Sequence, residues 1–157
     1  MARFWQKRSN FLQAQKALEN NDYSKAESLL SSILESDAEA IEALLHRALA
    51  RLRLKRFDEA LTDAEKLTLL RPDNGLGFMI KGEILLEISR FAEAKASLLH
   101  AIGLEKDNGR AFFQLGRACA ALKELQESAD YFEIALQFEP SYSWAQYMAT
   151  FYATKIT

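Results

Sequence analysis

The chain reads as all-α, an α-solenoid of antiparallel helical hairpins. Three observations carry that expectation. Nearly the same five-residue stretch occurs twice, RFDEA from Arg56 and RFAEA from Arg90, an interval of 34 residues. Leu, Ala, Glu, Lys and Arg dominate, and these residues favour helix. Only two prolines and six glycines occur in 157 residues, few for a loop-rich or all-β chain.

The interval recurs along the whole chain. Stepping by 34 gives Tyr23, Phe57, Phe91 and Leu125, then Ala26, Ala60, Ala94 and Ser128. Upstream columns read Ala14, Ala48, Gly82, Gly116 and Asn10, Leu44, Phe78, Phe112; a late one reads Ile33, Leu67, Ala101, Ala135. Five columns keep size and polarity class in most rows. Four units are therefore expected, about 7–40, 41–74, 75–108 and 109–142, with a tail at 143–157, all within one domain spanning 1–157.

Each unit reads as two helices. In the second, Ile41, Leu44, Leu45, Ala48, Leu49 and Leu52 fall on one helical stripe, and Ala60, Leu61, Ala64, Leu67 and Leu70 on another. The polar stretch LKRF separates them, and RPDN at 71–74 stops the second, since proline cannot continue the hydrogen-bond ladder. EKDN at 105–108 and EPSY at 139–142 hold the equivalent places. Antiparallel helices joined by a short turn approach closely only where side chains are small, which is the use of the Ala/Gly and Ala/Ser columns. The large residues Tyr23, Phe57, Phe91 and Leu125 plug the pair at its corner.

A two-helix unit of this period resembles the tetratricopeptide repeat. The fourth unit carries the pattern best, with Phe112, Leu115, Gly116, Cys119, Ser128, Phe132 and Pro140. The second carries Ala48, Ala60 and Pro72, and the third Gly82 and Ala94. The first departs most, with Ala38 where proline often sits. The resemblance covers about 7–142 and implies a right-handed solenoid whose first helices line a concave face. It implies binding of peptides, helices or extended protein segments there, as scaffold, adaptor or chaperone.

On that implied face one column is Phe11, Leu45, Met79 and Phe113, continued by Tyr147. A second is Gln15, Leu49, Glu83 and Arg117, continued by Phe151. Partner-binding candidates are thus Phe11, Leu45, Leu49, Met79, Glu83, Phe113 and Arg117. An apolar groove with charges along it suits an amphipathic helix. Packing within the solenoid is the other use open to these residues. Residues 46–74 also resemble the middle repeat of heat-shock co-chaperone adaptors, which hold a C-terminal carboxylate with Lys, Asn and Arg. The matching positions here are Phe11, Gln15, His46, Leu76 and Ile80; one unit further on they are Leu45, Leu49, Ile80, Arg110 and Gln114. The cationic donor set that captures a carboxylate is missing, so that partner is not expected.

The tail presents Trp144, Tyr147, Met148 and Phe151 on one stripe, with Ser141 or Ser143 placed to cap it. A helix that covers the last hairpin is expected, and Trp144, Tyr147 and Phe151 offer a secondary surface for a partner or for a homodimer. RFWQKR at 3–8 interleaves aromatic and basic residues and suits a membrane surface, an acidic partner, or an extension of the first helix on which Phe4 and Trp5 pack. Arg47, Arg51, Arg53, Lys55 and Arg56 form the densest basic patch, with Glu39 and Glu42 the nearest acids in sequence.

Other classes find no support. A net charge of −2 gives no electrostatic reason to seek nucleic acid. Cys119 is the single cysteine, so an intramolecular disulfide is impossible, and burial as an inert thiol is expected. His46 and His100 lack metal-site spacing, and no catalytic cluster or phosphate loop is visible. No enzyme activity, cofactor or metal is expected. The N-terminus lacks a secretory core, and no run of about 18 apolar residues occurs, so a cytoplasmic address is expected. Three roles stay open: adaptor, small chaperone for an aggregation-prone client, and self-associating structural element.

Overall fold

The structure is a computed structural model. It describes the backbone of residues 1–156, and their side chains except at 144, 145, 147, 150, 153, 154 and 156. Nine helices and no strand occur among the described residues. Residues 1–72 form one compact unit, with α1 (Ala2–Glu19), α2 (Tyr23–Ser36), α3 (Ile41–Arg53) and α4 (Phe57–Leu70). Residues 73–157 form a second, with α5 (Gly75–Glu87), α6 (Phe91–Leu104), α7 (Gly109–Ala121), α8 (Leu125–Phe138) and α9 (Ser143–Ile156). Ile41, Gly75 and Gly109 open α3, α5 and α7, at the expected unit starts.

The helix-to-helix corner closes the same way four times. Asn21, Lys55, Ser89 and Lys123 have φ of 58°, 60°, 63° and 65°, at the 34-residue interval. The next residues, Asp22, Arg56, Arg90 and Glu124, send their N–H groups back to the carbonyls of Ala17, Arg51, Leu85 and Cys119 at 2.8–2.9 Å. A left-handed residue followed by this long back-bond is a common helix C-terminus, usually built on glycine. Here no corner uses glycine, so each carries a side chain in the left-handed region.

The corner also explains the glutamate of RF-x-EA. The Arg56 guanidinium donates to Glu59 through Nε and Nη2 at 2.7 and 2.6 Å. Arg90 grips Glu93 likewise at 2.8 and 2.6 Å. These bonds hold both carboxyls below the usual range. Each fork ties the start of a second helix to the turn before it.

Within the units, small residues set the approach of paired helices. Ala14, Ala48, Ala26, Ala60 and Ala94 are fully buried. A Cβ on Gly82 would lie 2.5 Å from Leu98 Cγ, and one on Gly116 2.7 Å from the Phe132 ring. Glycine is thus required where the facing helix presents a branched or aromatic side chain. Ser128 is small and also bonded: its buried Oγ donates to the Gly116 carbonyl at 2.8 Å. The pairs are antiparallel. Gly109, at the start of α7, faces Phe138 at the end of α8, and Gly75 faces Glu105 just past α6.

Asn74 and Asn108 end the RPDN and EKDN stretches and cap the next helices, accepting from Gly77 N and Ala111 N at 3.0 Å. Around the start of α9 the Tyr142 carbonyl accepts from the Gln146 N–H, and the Ser141 hydroxyl donates to Glu139. As expected, α9 covers the last hairpin: Tyr152 stacks on Phe132 at 6.3 Å, and Ala149 joins that buried cluster.

Candidate partner-binding surfaces

In the first unit three residues of the basic patch, Arg47, Arg51 and Arg56, prove to be internal wiring. Arg47 donates to Asp63 through Nε and Nη2 at 2.8 and 2.7 Å, and through Nη1 to Ser31 at 3.1 Å. Arg51 bridges Glu27 and Asp63, both at 2.9 Å. Arg56 reaches Glu27 as well as Glu59. Asp63 and Glu27 are buried. The partners are therefore acids of α2 and α4, not Glu39 and Glu42, because stacked helices bring together residues far apart in sequence.

What α1 and α3 leave accessible is a narrower stripe than the expected column. Phe11 and Leu49 are half-buried, whereas Leu45 is only 6% exposed and belongs to the interior. Phe11 meets His46 edge to face at 5.4 Å. The His46 Nδ1–H donates to the Glu42 carbonyl at 2.7 Å, since a carbonyl can only accept. Leu12, beside them, is 57% exposed.

In the second unit the correction is larger. Met79 is 2% and Glu83 4% exposed, so neither presents a side chain to a partner. A signal for this was in the sequence: α5, GLGFMIKGEILLE, is apolar nearly all round, and such a helix is buried. The buried Glu83 carboxylate is satisfied by Arg110, through Nε and Nη2 at 2.6 and 2.7 Å, and by the Gln114 amide. Arg117 extends the chain outward, donating to Gln114 at 2.8 Å and to Glu87 at 3.1 Å. Arg117 and Glu87 are each 40% exposed, which makes them the solvent-facing end of this ladder. Phe113 is half-buried, between Phe132 and Tyr142 at 5.5 and 5.4 Å.

On α9, Phe151 is exposed, with the Lys155 ammonium 5.4 Å from its ring centre. The side chains of Trp144 and Tyr147 lie outside the described residues.

One cluster has metal-ligand chemistry. Ligand atoms of Cys119, Glu124 and Glu127 lie within 4.8 Å of one another. The Lys95 ammonium already donates to both carboxylates, at 2.6 and 2.8 Å. It supplies the positive charge that the two acids call for. Their hydrogen bonds raise its pKa, and it holds Glu124 below the usual carboxylate range. Burial pushes the Cys119 thiol up to about 12, which disfavours the thiolate needed both for metal binding and for nucleophilic attack. The His100 ring packs tilted against Phe78, with centres 4.1 Å apart, and is not part of this cluster.

A family profile described as "Tetratricopeptide repeat" matches residues 11–75 and 81–143. The protein named "Protein STIP1 homolog" from Dictyostelium discoideum is 29% identical over 96 residues, 61% of this chain and 17% of that protein. The chain therefore spans under a fifth of that relative's length. Among solved structures, MamA of Desulfovibrio magneticus RS-1 (residues 41 to end) superposes with a TM-score of 0.83 at 20% identity, covering 96% of this chain and 85% of that one. The Arabidopsis OM64 TPR domain gives 0.70 at 24% identity, covering 73% and 94%. At these identities the structural likeness speaks for the fold alone, an all-α solenoid of helical hairpins.

Proposed function

The chain belongs to the tetratricopeptide repeat family, and on that premise we propose that it is a non-catalytic scaffold or adaptor, holding an amphipathic helix or extended segment of a protein partner on the faces of its first helices. The family supports protein partners in general. The finer reading rests on one observation: Leu12 is exposed, and Phe11, His46 and Leu49 of α1 and α3 stay partly accessible beside it, although Phe11 also packs against the core of the first unit. Apolar anchors at helical spacing suit the apolar face of a partner helix. In the second unit Phe113 and the Arg117–Glu87 pair take the same part. An exposed pair of this kind contributes little to stability and exchanges readily for a partner's charge.

A carboxylate-clamp role is disfavoured. Arg110, the one basic residue in the shifted clamp register, is held by Glu83. Self-association through α9 is also weakened, because Met148 of its stripe, with the neighbouring Tyr152, is spent on the Phe132 cluster.

The test is site-specific photo-crosslinking in native cell extract, with benzoylphenylalanine placed at Leu49 or Arg117. Exposed second-helix positions Thr62 and Gln126 serve as controls. A discrete adduct at Leu49 and Arg117, absent from the controls, is expected. Equal labelling at all four positions would sink the reading.

A further inference from the structure

The first helix does not fit the repeat. α3, α5 and α7 have 13 residues each, and α1 has 18. The ends coincide in register: Glu19, Arg53, Glu87 and Ala121 are spaced by 34. The excess is therefore all at the start, Ala2–Gln6, a turn and a half with no counterpart in the other first helices.

That extra segment carries the most exposed aromatics of the chain among the described residues. Phe4 is 60% and Trp5 57% exposed, with rings edge to face at 5.6 Å. Phe4 and Trp5 extend the first helix as expected, but they face outward instead of packing on it. At 100° per residue, Phe4, Arg8, Leu12 and Trp5 share one arc of about a third of the helix circumference. All four are exposed.

The charge on α1 is one-sided. The first 18 residues contain Arg3, Lys7, Arg8 and Lys16 and no acid, while the rest of the chain holds 16 basic against 22 acidic residues. Lys7 approaches Asp37 at 3.7 Å, whereas Arg3 and Arg8 make no ion pair among the described residues. Two arginines free of internal partners thus flank two outward aromatics, on the opposite pattern to the internal arginines of α3. Arginines that serve the fold here are paired, as Arg47, Arg51 and Arg110 show.

We propose that this projecting start of α1, with Phe4 and Trp5 as apolar anchors and Arg3 and the adjoining Arg8 as cationic contacts, docks on an anionic lipid surface. The aromatic side chains enter the headgroup boundary, and the arginines meet lipid phosphates and carboxylates. Arg8, within the apolar arc, reaches its headgroup by extending along its own aliphatic stem. A lipid surface fits better than an acidic protein helix because the segment stands outside the register of the groove-lining helices. The attachment is peripheral: no described helix is long and apolar enough to cross a membrane.

The experiment is flotation of the full chain with vesicles of equimolar phosphatidylcholine and phosphatidylserine, and with phosphatidylcholine alone. Binding to the anionic vesicles is expected. It should fall at least about tenfold with Arg3→Glu plus Arg8→Glu, or with Phe4→Ser plus Trp5→Ser. These positions are exposed, so circular dichroism should be unchanged. In a Trp144→Phe background, Trp5 emission should shift to the blue on adding anionic vesicles. Failure of the parent chain to float, or equal flotation of all variants, would overturn the proposal. So would capture of an acidic protein that needs Arg3, Trp5 and Arg8 when vesicles are not bound. None of these outcomes bears on crosslinking at Leu49 or Arg117.

Discussion

Lys123 sits in the left-handed region at φ 65° with its side chain in solvent. That conformation costs a non-glycine residue about 1–2 kcal/mol, and glycine about nothing. The added unfolded-state freedom of glycine takes back about 0.5–1 kcal/mol. Lys123→Gly should therefore stabilise the chain by up to about 1 kcal/mol, read as a higher urea midpoint. A lower midpoint would show that the Lys123 side chain contributes more than its backbone costs. Cys119 gives a second prediction at this scale. Its thiol is fully buried, and burial raises its pKa from 9.0 to about 12. The folded chain keeps the proton where the unfolded chain loses it. This stabilising contribution is therefore whole below pH 9 and is lost as pH climbs toward about 12. Cys119→Ala should flatten the alkaline fall of the urea midpoint, and an unchanged slope would refute the assignment.

Between elements, two junctions use the same geometry with opposite charge. Glu27 of α2 reaches the corner residue Arg56, 29 positions on, and Lys95 of α6 reaches Glu124, again 29 positions on. Positions 27 and 95 are the same place in the repeat, two periods apart. Inverting the polarity keeps each second helix matched to its own neighbouring hairpin, because the wrong pairing sets like charges together. Lys95→Glu should lower the melting temperature by crowding three carboxylates. Adding Glu124→Lys and Glu127→Lys should restore most of the loss. Absence of rescue would mean that Lys95 acts through the packing of its stem.

At the scale of the whole molecule, residues 73–157 hold networks of their own. The Glu83 ladder, the Lys95 clamp and the Phe132 cluster all lie in residues 73–157. That segment produced alone should stay helical and unfold cooperatively in urea. A broad, non-cooperative transition would show that its core needs residues 1–72. The same division bears on function, because the Phe11–Leu49 stripe and the Phe113–Arg117 surface belong to separate units, and their crosslinks should fail independently.

The period, the hairpins and the small columns were legible in the residue order because each depends on neighbours within a few turns or within one hairpin. Ala48, Gly82 and Gly116 had to be small wherever a second helix lay against them, and the corner had to fall within LKRF and its equivalents. The left-handed column was there to be read too, but Asn, Lys, Ser and Lys share no composition signal. Exposure was another matter. Leu45 and Leu49 look alike in sequence, yet one is buried and the other half open. Arg47 finds Asp63 across 16 residues, and Gln114 finds Glu83 across 31. Helical spacing tells which side chains share a face. Which face is covered, and which charge is neutralised, depends on the helices stacked beside it, and that packing exists only in three dimensions.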